Sequence, residues 1–188
     1  MKKITLTMAA LAIAGSMMAQ DSGFSAGLDL AMPMGDMGDS YSFGVGPVLS
    51  YEREAGSSGL GGFSLAYTIM FPKSDLIQSG TVIPIQAHYK YFFDDVREGI
   101  YIGAMFGLGI QMMKTKEVTV GGITVGGESD SNVGLGLAPV VGYVLNERLD
   151  LGLRYQILMT SKSNDGTVTA GSGSKASAYL GVRAAYNF

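Results

Sequence analysis

The run Ala176-Ser177-Ala178-Tyr179-Leu180-Gly181-Val182-Arg183-Ala184-Ala185-Tyr186-Asn187-Phe188 alternates from end to end. One set is Ala176, Ala178, Leu180, Val182, Ala184, Tyr186 and Phe188; the other is Ser177, Tyr179, Gly181, Arg183, Ala185 and Asn187. A β-strand places two such sets on opposite faces. The first face is apolar throughout and the second carries a charge, which suits a strand with hydrocarbon on one side and a polar lumen on the other. A half-buried strand of a soluble antiparallel sheet shows the same alternation, so the rest of the chain must decide.

The opposite end narrows the choice. Lys2 and Lys3 precede an apolar stretch from Ile4 to Gly15, followed by Ser16-Met17-Met18-Ala19-Gln20, the three-part form of a secretory signal. The apolar part is too short to span a bilayer. Residues 1–19 are therefore expected to be a signal peptide cut after Ala19, and residues 20–188 a single domain. Without cysteine there is no lipoprotein anchor, disulfide or thiolate chemistry. Loss of Lys2 and Lys3 from the 13 basic residues leaves 11 against 16 acidic ones, a net charge near −5 that argues against a nucleic-acid partner. With 28 glycines, 10 tyrosines and 8 phenylalanines and no apolar run of helical transmembrane length, a β-rich envelope protein is the main option.

Apolar residues recur at every second position in eight segments, each about as long as, or longer than, the roughly 9–11 residues a tilted strand needs to cross a membrane. The outward sets begin with Phe24, Leu28 and Leu30; then Tyr41, Phe43, Val45, Leu49 and Tyr51; then Phe63, Leu65, Tyr67, Ile69 and Phe71. They continue with Ile83, Ile85, Tyr89, Tyr91 and Phe93; Ile100, Ile102, Phe106, Leu108 and Ile110; Val133, Leu135, Leu137, Val141 and Tyr143; and Leu149, Leu151, Leu153, Tyr155 and Ile157. The opposing sets are rich in Gly, Ala and Ser. The expectation is an all-β, eight-stranded antiparallel up-and-down transmembrane β-barrel.

Connection length gives a second signal. Short turns, near 54–59, 94–99 and 146–148, alternate with longer connections near 33–40, 72–79, 114–131 and 161–175. Outer-membrane barrels keep short turns in the periplasm and long loops outside the cell, which places both termini in the periplasm. In that orientation Phe24, Tyr51, Phe63, Tyr91, Phe93, Tyr143, Tyr186 and Phe188 fall near the periplasmic strand ends, as an interfacial girdle would. Tyr41, Phe43 and Phe71 form a thinner outer set. A soluble lipocalin-like barrel would have to pack all the large apolar residues into an interior with room for little more than side chains or one small ligand. Pro47, Pro84 and Pro139 fall inside strands, where each lacks a ladder donor, and local bulges are expected there.

The stretch VIPIQAHYKYFF (82–93), a short turn, and GIYIGAMFGLGI (99–110) resemble the hairpin of the outer-membrane β-barrel domain family of small porin-like proteins. That family is akin to OmpA/OmpX-type barrels, especially those of Bacteroidota-like bacteria. Phe188 likewise resembles the terminal aromatic of bacterial outer-membrane barrels. The resemblance implies a Gram-negative outer-membrane location, contact with outer-membrane lipid, and delivery through the barrel-assembly machinery by the C-terminal strand. It fixes architecture rather than activity. With the chain ending at Phe188, the periplasmic peptidoglycan-binding domain of full-length OmpA-type proteins is expected to be missing.

Little in the chain points to an enzyme. His88 is the single histidine and lacks triad or zinc partners at suitable spacing, so no catalytic residue, cofactor or metal is expected. Outer-membrane lipid A deacylases carry a histidine and a serine two apart on a lipid-facing strand, whereas here the sequence is His88-Tyr89-Lys90 with His88 inward. The inward charges are Asp29, Glu52 and Asp150 against Lys90, Arg154 and Arg183. Buried charges must pair. Strands seven, eight and one are neighbours in a closed barrel, so Arg154 and Arg183 are expected to reach Asp29 and to neutralise Asp150. The same groups could instead line a narrow conductive path for ions or small solutes. Finally, Glu117-Val118-Thr119-Val120, Gly121-Gly122 and Ile123-Thr124-Val125 read as a hairpin with a glycine turn. Residues 114–131 would then form a ribbon above the membrane whose edge could pair with an extracellular protein. The expected role is structural or surface-interacting, ahead of a channel and, more distantly, a lipid-modifying enzyme.

Overall fold

The computed structural model describes residues 23–74, 77–120, 123–125, 127, 129–160 and 175–188. The expected signal peptide and most of the last long loop lie outside the described residues. The elements are β1 (Phe24–Met34), α1 (Asp36–Ser40), β2 (Tyr41–Glu54), β3 (Gly59–Ala66), β4 (Thr68–Pro72), β5 (Ile77–Phe92), β6 (Gly99–Thr115), β7 (Val118–Val120), β8 (Ile123–Val125), β9 (Ser129–Leu145), β10 (Leu149–Thr160) and β11 (Lys175–Asn187). With β3 and β4 forming one stave, eight staves pair antiparallel in chain order, and β1 pairs with both β2 and β11, so the sheet closes on itself. Closure leaves no open edge in the wall. β7 and β8 pair outside the wall as a two-stranded ribbon above β6 and β9, whose own ladder runs to Lys114 opposite Ser129.

The alternation reads onto the barrel as expected. Leu28, Leu65, Phe106, Leu135, Leu153 and Val182 are exposed on the outside, while Ser50, Ser64, Gln86, Ala138, Gln156 and Arg183 are buried inside. Burying charge and exposing leucine is the reverse of a water-soluble domain. It is the distribution of a barrel whose surroundings are hydrocarbon.

Two expectations change. Tyr41 does not face outward: the register of β2 against β4 shifts between Tyr41 and Phe43, which turns Tyr41 inward, where it is buried, and leaves Ser42 exposed. One extra residue flips every side chain beyond it. The prolines, by contrast, cause no bulge. Val48–Ala66 and Val45–Ile69 share one register on either side of Pro47, and Arg154–Val140 and Ile157–Leu137 share one on either side of Pro139. Pro84 keeps its place opposite Gly109. The ladder skips a rung instead. Pro47 faces Tyr67, whose N–H still donates to the Pro47 carbonyl at 3.0 Å while the return bond has no donor; this is where β3 gives way to β4.

Candidate functional site: the filled lumen

Inward glycines set the geometry of the interior. A Cβ at Gly142 or Gly152 would strike the Tyr101 ring or hydroxyl, one at Gly181 would come within 2.9 Å of Arg154, and one at Gly80 would overlap Tyr41. Gly44 and Gly109 leave the same room for Met70 and Leu158. Tyr41, Met70, Tyr101, Arg154 and Leu158 thus each lie across a residue with no side chain, so these glycines act as seats for them rather than as the wall of an open bore.

Three layers result. At the short-turn end, Leu60, Phe92, Tyr101 and Val144 form a buried apolar cluster. At the long-loop end, Ala31, Met37, Tyr41, Met70, Val82, Leu158 and Tyr179 form a second, with Met37 brought over the mouth by α1. The charges occupy the middle and the short-turn side in two groups.

In the first group, Asp29 on β1 accepts from both arginines, Arg154 at 2.7 Å and Arg183 at 3.2 Å. Arg154 also donates to the Tyr179 hydroxyl at 3.3 Å and lies 5.6 Å from its ring centroid. In the second, the Lys90 ammonium bridges Glu52 at 2.6 Å and Asp150 at 2.7 Å. His88 Nε2 shares a 3.0 Å hydrogen bond with Glu52, and the Tyr101 hydroxyl donates to Asp150 at 2.7 Å. The structure therefore brings Arg154, Arg183 and Asp29 together, but it gives Asp150 to Lys90 and Tyr101 rather than to the arginines. Lys90 reaches Asp150 across the lumen, a contact strand adjacency could not indicate. Tyr101, Tyr179 and His88 complete the network; His88 was read as an inward histidine and is found hydrogen-bonded to Glu52, whereas the only sequence signal for the two tyrosines was a large inward residue with glycine on the same face.

Between the groups a cavity of ≈ 10 Å³ remains, bordered by His88, Lys90, Tyr101, Met105, Arg154 and Arg183. That is room for about one water molecule. Above it, the Gln86 and Gln156 amides converge over Gly136, where a Cβ would lie 3.0 and 3.1 Å from their nitrogens. Among the described residues no group of three or more His, Cys, Asp or Glu side chains is placed to hold a metal. His88 is committed through Nε2 to Glu52 inside the barrel.

Outside, Phe24, Phe63, Tyr91, Phe93, Tyr143, Tyr186 and Phe188 are exposed and Tyr51 is half-buried. Six of the eight contact one another in pairs: Phe24 with Tyr51 at 4.7 Å, Tyr91 with Phe93 at 5.6 Å and Tyr186 with Phe188 at 5.1 Å. Tyr89, which the sequence reading did not include in this set, reaches the same level, its hydroxyl donating to the Ala55 carbonyl in the first short turn. At the other rim Phe43 stacks on Phe71 at 4.5 Å.

No protein-family model matches the chain, and no curated protein matches it. Solved structures do. Ail, the attachment invasion locus protein of Yersinia pestis, aligns with TM-score 0.58 and 18% identity over 88% of this chain and 96% of Ail. Neisserial surface protein A aligns with TM-score 0.53 and 21% identity over 89% of this chain and 98% of its own. The N-terminal β-barrel domain of Pseudomonas aeruginosa OprF aligns with TM-score 0.53 and 11% identity over 90% and 100%. Near-complete coverage in both directions, an apolar exterior and an ion-paired interior together give this chain the fold of the small eight-stranded outer-membrane barrels.

Proposed function

We propose that the protein is an integral outer-membrane barrel with a closed lumen and a structural or surface-interaction role, without enzymatic activity. The observation that carries this reading is the interior: six charges held in two ion-paired groups, with a buried apolar cluster toward each end of the barrel, inside a wall that shows hydrocarbon-like side chains outward. A conductive path needs continuous space for a hydrated ion, whereas the lumen between the charge groups holds about 10 Å³. The described wall begins and ends at the short-turn end, where Phe188 N–H donates to the Phe24 carbonyl, and by the usual asymmetry of loop lengths that end, with both termini, would belong in the periplasm. The eight aromatics from Phe24 to Phe188 named above then meet the inner lipid interface. The barrel-assembly machinery would receive the strand ending at Phe188, and the ribbon of residues 114–131 would offer a pairing edge to an extracellular protein.

Ail has also been solved with the heparin analogue sucrose octasulfate. A polyanion is a poor match here, because the four long connections carry seven acidic residues against five lysines.

The test is fractionation and electrophysiology. The protein should partition with outer membranes and migrate differently in unheated and boiled samples on a denaturing gel. In planar bilayers it should give no steady stepwise conductance. Recovery as a detergent-free soluble species overturns the membrane barrel, and reproducible channels overturn the closed lumen.

A further inference from the structure

At the long-loop mouth, the outer face of the apolar plug is the floor of a cup of ≈ 290 Å³. Met37, Tyr41, Met70 and Val82 form that floor, and Asp36 and Asp130 stand among its walls. Among the described residues no lysine or arginine lines the cup. Neither carboxylate has an ion-pair partner among the described residues; Asp130 accepts only a 3.4 Å hydrogen bond from Asn132.

These features select a ligand by charge and by surface. The volume is at the lower edge of small-molecule sites, whose range starts near 300 Å³. Thioethers and a tyrosine ring are polarizable apolar surfaces, and an aromatic face attracts a cation directly. Two uncompensated carboxylates at the rim of a low-dielectric recess focus a negative potential into it.

We propose that the cup binds a small organic cation with an apolar body, of the alkyl- or arylammonium class, its charge toward Asp36 and Asp130 and its body on Met37, Tyr41 and Met70. The proposal gives the surface role a ligand class, and it depends on that reading only for which side of the membrane the cup faces. A bare divalent cation would be satisfied by the carboxylates but would have no use for the apolar floor.

The probe is benzyltrimethylammonium, titrated into the full protein in phosphatidylcholine nanodiscs carrying methyl-labelled methionine, with Met37→Leu and Met70→Leu used to assign the signals. Saturable shifts of the Met37 and Met70 methyls are expected, with affinity reduced at least about five-fold by Asp36→Asn with Asp130→Asn. The heat-shifted gel mobility of that variant shows that it folds. Benzenesulfonate should shift neither methyl. Absence of saturable shifts, equal response to benzenesulfonate, or unchanged affinity in the double variant overturns the proposal, as does displacement of the probe by low calcium concentrations. Failure to enter nanodiscs at all would instead strike the membrane-barrel reading.

Discussion

Replacing Lys90 by methionine tests whether the lumen charges hold the barrel together as a network. Lys90 is 5% exposed, and its ammonium lies 2.6 Å from a Glu52 oxygen and 2.7 Å from an Asp150 oxygen. Those two oxygens are therefore no more than about 5 Å apart, and without the cation they repel by about 3 kcal/mol at an effective dielectric of about 20. Methionine preserves the stem, while the His88 and Tyr101 hydrogen bonds remain to soften the loss. Breaking a buried pair by removing one partner costs about 3–5 kcal/mol. Lys90→Met should lower the free energy of unfolding by that amount in reversible urea titrations in phospholipid vesicles. Adding Glu52→Gln and Asp150→Asn should return most of it, because the repulsion goes with the charges. A loss below about 1 kcal/mol, or no recovery in the triple variant, would refute the network argument.

The remaining predictions follow from the wall. Leu153 is exposed mid-stave, between Val141 and Val182, so Leu153→Arg should cost about 2–4 kcal/mol in the same vesicle assay. The inward Ser64→Ala should cost under about 1 kcal/mol, and the opposite order would mean the two faces are exchanged. Pro47→Val should restore the missing donor to the Tyr67 carbonyl, raising stability by about 0.5–1.5 kcal/mol and slowing amide exchange around Tyr67; an unchanged or lower urea midpoint would count against the skipped rung.

Alternation was enough to read the staves and their faces, because a period of two is imposed by the backbone whatever the neighbours are. The pairing of Arg154 and Arg183 with Asp29 was legible for a related reason: they lie on adjacent staves, and Asp29 stands directly opposite Arg183 in the ladder. Lys90 and Asp150 were not legible as a pair, since they sit on staves separated by two others and meet through the lumen, at a distance set by closure and not by sequence. Tyr41 was misread because a single bulge at Ser42 inverted its face, and nothing local marks that residue as the extra one. The prolines were read with the right difficulty and the wrong remedy. A bulge would have displaced every side chain beyond it, so omitting one hydrogen bond disturbs the lipid face less.

The pairing of β1 with β11 is the only contact in the wall between the two ends of the described chain, and Asp29 spans it to Arg183, 154 residues away. Such a contact has the largest loop to close and cannot form until every other stave is in place. Until then Asp29 lies on one still-wet flank of an open sheet and Arg154 and Arg183 on the other. Their meeting is thus a latch on the seam: it engages only on completion, and it resists the seam's reopening by tying both flanks to one buried carboxylate. An assembly intermediate would be an unlatched half-pipe with two free strand edges, prone to pair with another copy. Substitutions at Asp29 should therefore show first as a delay in closing and a rise in misassembled material, before any change in the finished barrel.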